Sequence, residues 1–544
     1  MTWTQNYEPL HGLWLSALAA AVPVFVLAYA LGVARTAAWK ASVYALIAAA
    51  AVSLAIYRMP AALLVAAAGY GAVFGLFAIG WIVFAAILLF DVVVATGRFA
   101  TIRNSLAAVS PDARIQVLLV AFAFGAFLEG ASGAGTPVAV TASLLVGLGF
   151  APLLAGGLCL LANTAPVAFG ALGLPIVTLA AVTELPVMSL SAAAGRISPV
   201  LGLVIPAYLV AVFAGVRGAV EVGPAVVVCG VTFAVAQFFA SNFIGPQLAD
   251  ILSALVAMAA IVVLLKMWQP ARISYLPNGV RTAHEVEPTN RAAVMTAWMP
   301  YMVLVVLVLL WGAPGIQSYL DRPTVRVPVP ALHNVVMRVV PAVPVDSRYP
   351  ALFVFNWLGA NGTACFLAAM LAALFGGLGW RRFATLTVAT ARRLALPELT
   401  IAMLMAVAYV MNYAGLTATL GLALAGSGAA FPFFSSYLGW LGVFLTGSDT
   451  SSNALFGNLQ VVSARAIGIN PVLTAAVNTT GGVMGKMISI ASIAVAAAAT
   501  GLPPENESRL FRFTVWHSVL LAGLIGLLAL FYAYVAPGLI PVVR

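Results

Sequence analysis

Long apolar runs separated by short polar connections dominate the chain. They cover roughly 13–33, 41–57, 61–95, 115–128, 136–182, 198–215, 222–242, 247–266, 294–312, 351–379, 394–412, 430–446, 454–500 and 513–538. A membrane-crossing helix needs about 20 apolar residues. Several runs are too long for one crossing and others are interrupted, so the pattern predicts an all-α polytopic membrane protein with about 12–14 transmembrane helices and re-entrant pieces. Two interruptions stand out. Phe127-Leu128-Glu129-Gly130-Ala131-Ser132 and Phe444-Leu445-Thr446-Gly447-Ser448-Asp449-Thr450-Ser451-Ser452-Asn453 place glycine, hydroxyls and a carboxylate between apolar segments. Polar, helix-breaking sequence at membrane depth is tolerated where it is buried in protein or lines a cavity.

The two interruptions belong to a longer internal match. Gly97-Arg98-Phe99-Ala100-Thr101-Ile102 resembles Gly415-Leu416-Thr417-Ala418-Thr419-Leu420 at an offset of 318. Phe127 to Gly130 resembles Phe444 to Gly447 at 317, and Asn163-Thr164 resembles Asn478-Thr479 at 315. Three matches in order at nearly constant offset indicate two structural repeats. The expected organisation is an N-terminal span over 1–39, a first repeat over 40–220, connecting spans over 221–349 and a second repeat over 350–544. The connecting part holds a cytoplasmic loop at 267–293 and an extracytoplasmic, Pro-rich loop at 313–349 without regular structure. Corresponding broken segments in two halves are the sequence mark of a secondary transporter's binding site.

Composition sharpens this picture. Of the 544 residues 63% are hydrophobic and 7% charged, far below the roughly 25% charged residues of soluble domains. The net charge of +10 comes from arginines dispersed in short loops, not from a basic face, so nucleic acid is not an expected partner. Arg35, Lys40, Arg98, Arg103, Arg114, Lys266, Arg272, Arg281, Arg291, Arg381, Arg382, Arg392 and Arg393 mark loops that the positive-inside rule places in the cytoplasm, with the N-terminus outside. Met1 to Gly12 carries no Lys or Arg, so no cleavable signal peptide is expected. The three cysteines sit singly in apolar segments and the four histidines are scattered, so no metal or redox centre is expected. No nucleophile–base constellation suggests an enzyme.

Candidate chemistry therefore lies in the deep polar residues. Glu129 is a proton-coupling candidate, with Asp449 second; the plainer reading of Glu129 is a carboxylate capping a helix. Asn163-Thr164-Ala165-Pro166 and Asn478-Thr479-Thr480-Gly481-Gly482 are read as breaks in two apolar helices. Their freed N–H groups would suit a small carboxylate; the alternative for each is a packing kink. Lys486 is the one of three lysines inside an apolar segment. It could hold a carboxylate directly or neutralise Asp449 in an empty site. Glu398, after Pro397, is expected at a helix N-terminus. Gly130, Ser132, Asn163, Thr164, Ser448, Thr450, Ser451, Ser452, Asn478, Thr479, Thr480 and Lys486 form the expected substrate-binding set.

These strings resemble the bacterial lactate permease family, whose members carry L-lactate, D-lactate and glycolate with protons. The resemblance spans most of the chain. It is strongest in Phe127 to Gly130, Asn163 to Gly170, Ser241-Asn242-Phe243-Ile244-Gly245-Pro246, Gly439 to Phe456, Asn478 to Val483, Gly485-Lys486-Met487-Ile488-Ser489 and Leu510 to Val515. The chain departs from the family pattern at Gln247, where a glutamate is common, and at Ile490-Ala491, where Pro-Gln is common. The resemblance implies a proton-coupled importer of a small 2-hydroxymonocarboxylate in the bacterial inner membrane, with the proton as coupling ion and no cofactor. It also implies an ion-transporter architecture with re-entrant hairpins, broken helices, an elevator-type motion and a homodimer. The alternative is a sodium-coupled carrier of a related carboxylate or dicarboxylate.

Overall fold

The computed structural model describes residues 2–133, 135–276 and 290–543. The centre of the expected 267–293 loop, with Arg281, lies outside them. Among the described residues the elements are helices, apart from short strands at Trp3–Thr4 and between Val325 and Phe355. The first half runs α1 (Leu13–Gly32), α2 (Ala38–Ala55), α3 (Ala61–Ala95), α4 (Arg98–Ala107), α5 (Ala113–Ala131), α6 (Thr136–Gly147), α7 (Pro152–Ala162), α8 (Gly170–Thr183) and α9 (Val187–Glu221). Two connecting helices follow, α10 (Gly223–Ile244) and α11 (Ala249–Met267), then α12 (Arg291–Gly312) and the short α13 (Pro314–Leu320). The second half runs α14 (Asn361–Phe375), α15 (Trp380–Ala414), α16 (Leu416–Ala425), α17 (Phe431–Thr446), α18 (Asp449–Ala466), α19 (Pro471–Lys486), α20 (Ile490–Thr500) and α21 (Glu507–Val535).

Among the described residues eleven helices are long and apolar enough to cross a membrane, or thirteen if each of two bent pairs counts as one crossing. The halves pass through the same sequence of elements. Both α3 and α15 have 35 residues. Each ends at a left-handed glycine, Gly97 (φ 72°) or Gly415 (φ 90°), that starts a ten-residue helix. Then come a helical hairpin (α5–α6 or α17–α18), a bent helix (α7–α8 or α19–α20) and a long closing helix (α9 or α21).

Every residue of α5 is buried, so this apolar helix is enclosed by protein rather than lipid. The hairpin α17–α18 is fixed by Ser435 Oγ donating to Gln460 Oε1 (2.7 Å) and Ser452 Oγ to the Gly439 carbonyl (3.1 Å).

Three expectations need correction. The segment 313–349 has regular structure. Strands β1 (Trp3–Thr4), β2 (Val325–Pro328), β3 (Val336–Arg338), β4 (Ser347–Arg348) and β5 (Leu352–Phe355) form two small sheets, ordered β1-β3-β4 and β2-β5. The N-terminal strand and the turn-forming prolines let this excursion pair with itself over the helix ends. Gln5 Nε2 also donates to the Asn412 and Tyr413 carbonyls (2.8 and 2.9 Å), so the N-terminus, the excursion and the end of α15 share one face. Second, Glu398 lies inside α15 rather than at a helix N-terminus, because Pro397 is absorbed in the helix.

Third, Asn478 to Gly482 does not break a helix. It lies inside α19, which runs unbroken to Lys486. The glycines serve close packing instead. A Cβ at Gly481 would sit 2.6 Å from the Ser436 backbone of α17, and Gly482 and Gly485 meet the same helix. Small residues that let two backbones approach are a standard membrane packing device.

A buried site between the two hairpin tips

Each hairpin tip presses on the bend of its own half. The first tip turns at Gly133 (φ 59°), where a Cβ would lie 3.0 Å from the Ala171 Cβ. The second turns at Gly447 (φ 72°), where a Cβ would lie 3.2 Å from Ala491 and 3.5 Å from Ser489. The bends differ in construction. The first, 61° between α7 and α8, follows Asn163 and Pro166. It includes three consecutive left-handed residues, Ala171, Leu172 and Gly173 (φ 45°, 59° and 73°). Each non-glycine there costs roughly 1–2 kcal/mol, strain of the kind that collects at functional sites. The second bend, 41°, falls at Met487 to Ser489, where Ser489 Oγ caps α20 by accepting from the Ser492 N–H (3.2 Å).

Between the bends lies an ion pair joining the two halves. Lys486 Nζ at the end of α19 donates to Glu129 Oε1 of α5 at 2.8 Å, and Asn163 Nδ2 donates to Glu129 Oε2 at 2.9 Å. All three are buried: Glu129 is 3% exposed, Asn163 5% and Lys486 8%. Gly170 is pressed so close that a Cβ would lie 2.6 Å from Glu129 Oε1. Lys486 thus neutralises Glu129, not Asp449, which corrects the expected pairing. Lys486 is the last residue of α19, and from there its side chain reaches α5 of the other half. Asn163 Oδ1 has no partner.

The second half supplies a polar chain. Asp449 Oδ2 accepts from Thr479 Oγ1, which accepts from Asn453 Nδ2 (3.0 Å). Asn453 Oδ1 accepts from Asn478 Nδ2 (2.8 Å), and Asn478 Oδ1 accepts from Gln460 Nε2 (3.0 Å). Asn453 Nδ2 also donates to the Pro175 carbonyl (3.0 Å), tying α18 to α8 of the first half. Asp449 Oδ1 is buried without a partner.

The remaining candidates divide by whether their polar atoms are already engaged. Thr480 donates to the Ala476 carbonyl within α19 (3.0 Å), and Thr164 and Ser132, just past the ends of α7 and α5, donate back to the Leu161 (2.7 Å) and Leu128 (2.9 Å) carbonyls. Ser452 donates to Gly439, and Ser448 Oγ caps α18 by accepting from the Ser451 N–H (3.3 Å). Gly130 packs its backbone on α11, where a Cβ would sit 2.8 Å from the Asp250 Cβ. Thr450 and Ser451, in the first turn of α18, are partly exposed and their hydroxyls make no hydrogen bond among the described residues. Asp250 and Gln237 were not among the candidates. Asp250 is the lone acid in the 247–266 apolar run, which was the available signal. No group of three His, Cys, Asp or Glu among the described residues converges on a metal-sized site.

A family model described as L-lactate permease matches residues 16–536. The chain is 45% identical over 554 residues to an "L-lactate permease" of Salmonella typhi, covering 99% of this chain and all of that one. It is 45% identical over 560 residues to the "Glycolate permease GlcA" of Escherichia coli K12, and 44% over 569 residues to an "L-lactate permease" of Bacillus subtilis 168, again covering 99% of this chain and all of each relative. Among solved structures, the YdaH transporter of Alcanivorax borkumensis aligns over 86% of this chain and 89% of its own at 16% identity and a TM-score of 0.45, too distant to carry detail.

Proposed function

The chain belongs to the L-lactate permease family, and we propose that it is a proton-coupled symporter importing a small 2-hydroxymonocarboxylate by alternating access. L-lactate is the first candidate, with D-lactate and glycolate beside it; relatives named for lactate and for glycolate match equally well. The observation that carries the reading is the buried Glu129–Lys486 pair bridging the halves.

In the empty site the pair is neutral. An incoming carboxylate takes Lys486 from Glu129, and Glu129, displaced, takes a proton whose O–H has a ready acceptor in Asn163 Oδ1. Charge is conserved: one anion and one proton enter, and the site stays neutral. Entry without the proton would leave a buried carboxylate uncompensated, costing about 3–5 kcal/mol. The coupling also removes the cost of moving an anion against an inside-negative potential, about 2.3 kcal/mol per 100 mV. Thr450 and Ser451, with the N-terminus of α18, would receive the 2-hydroxyl end of the substrate. Asp449 is the second proton candidate. The hairpin tips at Gly133 and Gly447 act as gates over the two bends. The face shared by the N-terminus and the β-sheets is the extracytoplasmic one, in keeping with the arginine distribution.

Glu129→Gln proteoliposomes are expected to keep lactate–lactate exchange and to lose accumulation driven by an imposed pH gradient. Accumulation matching the parent's, or parental uptake that collapses when sodium is removed, would overturn the reading.

A further inference from the structure

A second buried acid lies against the helix that carries Glu129. Asp250, in the first turn of α11, and Gln237, on α10, are both completely buried. Gln237 Nε2 donates to Asp250 Oδ1 at 3.0 Å. The other two oxygens of this pair, Asp250 Oδ2 and Gln237 Oε1, have no partner. If the carboxylate were ionised, both would be acceptors with nothing to accept. The nearest charged groups are Glu129 on α5, next to the Gly130 that packs on Asp250, and Lys486 on α19, which is already engaged by Glu129. From α10 comes a neutral amide only, and α8, which approaches through Gly173 and Pro246, carries no charge.

One proton removes both defects. On Asp250 Oδ2 it supplies a donor for Gln237 Oε1, and the two side chains close a ring of two hydrogen bonds, a carboxylic acid paired with an amide. We propose that Asp250 and Gln237 form a second proton-binding site, separate from Glu129, whose occupancy sets how tightly the central site holds an anion. It rests on the reading of Lys486 as the partner of the substrate carboxylate. With the proton bound, the anion meets Lys486 without a competing charge. Without it, a negative charge stands against Gly130, one residue from Glu129, and opposes the substrate. The proton is exchanged with water and no other group moves. Linkage is reciprocal: bound lactate strengthens the hold of Asp250 on its proton.

The test uses the full-length protein in proteoliposomes at equal pH on both sides. Asp250→Asn keeps the shape and both hydrogen bonds of the acid form, since its own amide N–H₂ can donate to Gln237 Oε1. In the parent, the KM for lactate exchange rises toward alkaline pH; in Asp250→Asn the rise is smaller by about tenfold, the remainder belonging to Glu129. An infrared pH-difference spectrum loses one protonated-carboxyl band in Asp250→Asn and keeps that band in Glu129→Gln. Superimposable KM–pH profiles, or bands unaltered by Asp250→Asn, overturn the second site and leave coupling at Glu129 standing. A KM that follows sodium at fixed pH overturns it as well. Absence of proton coupling in the parent sinks both readings.

Discussion

Two carboxyl–amide pairs lie side by side in this protein. In one, Asn163 donates to Glu129; in the other, Gln237 donates to Asp250. Both are buried, and in both the amide oxygen has no partner. The difference is a single cation: Lys486 reaches Glu129 and leaves Asp250 alone. Identical chemistry thus takes two forms. The pair with the lysine has its charge matched, and the pair without it has no cation to match an ionised acid. The lesson is that the function of a deep carboxylate is set by which helix end delivers a cation to it, and here that is the end of α19, from the other half of the chain.

The sharpest way to break the contrast is to remove the cation. In Lys486→Met, Glu129 becomes an isolated buried carboxylate like Asp250, at a cost of about 3–5 kcal/mol if it stays ionised. Taking a proton costs less, so the protein should fold with one additional protonated carboxyl visible in the infrared. If Lys486 holds the substrate carboxylate, lactate uptake should fall about 10–100-fold, since a charge-assisted hydrogen bond of about 1.5–3 kcal/mol is lost. Uptake within a few-fold of the parent would show that Lys486 does not meet the substrate.

Part of this site was legible in the sequence. Glu129, Asn163 and Lys486 stood out because charge or amide within a long apolar run has no cheap alternative to a partner or a function. Their mutual contact was not legible, because 357 positions separate Glu129 from Lys486 and only the crossing of the halves joins them. The repeat offset found the matching elements, as Gly97 and Gly415 show. It misplaced the second break, since Gly481 and Gly482 look like breakers when read alone. What packs on them decides: the Ser436 backbone of α17 meets Gly481 and Asp449 Oδ1 of α18 meets Gly482, each 2.6 Å from where a Cβ would sit, so these residues pack a straight helix. Asp250 went unread because it opens its apolar run, where an acid looks like an ordinary first-turn residue; its burial comes from Gly130 and Gln237 on other helices.

The amides offer an intermediate test. Asn163→Ala leaves Glu129 with Lys486, whereas Gln237→Ala strips Asp250 of its one hydrogen-bonding side chain. Leaving a buried polar group unsatisfied costs about 1–3 kcal/mol. Thermal unfolding in detergent should therefore show the larger fall in Tm for Gln237→Ala. Asn163→Ala should be milder in stability but should weaken coupling, because protonated Glu129 loses its acceptor. Equal Tm losses with unaltered coupling would mean that the two pairs do not differ in the way their partners suggest.

The smallest expected effects separate polar groups that are free from those already engaged. Thr480 Oγ1 is spent on the Ala476 carbonyl within its own helix, so Thr480→Val exchanges one internal bond for a methyl, and the lactate KM should change by less than about twofold. Ser451 Oγ bonds nothing among the described residues and is partly exposed in the first turn of α18, beside Asp449. If it receives the 2-hydroxyl of the substrate, Ser451→Ala removes one neutral hydrogen bond of about 0.5–1.5 kcal/mol, a rise in KM of roughly 2–12-fold with little change in maximal rate. Propionate, which lacks the hydroxyl, provides the control: its weaker binding should be insensitive to Ser451→Ala. A mutant that loses lactate and propionate affinity in equal measure would place Ser451 in the packing of the second tip rather than against the substrate.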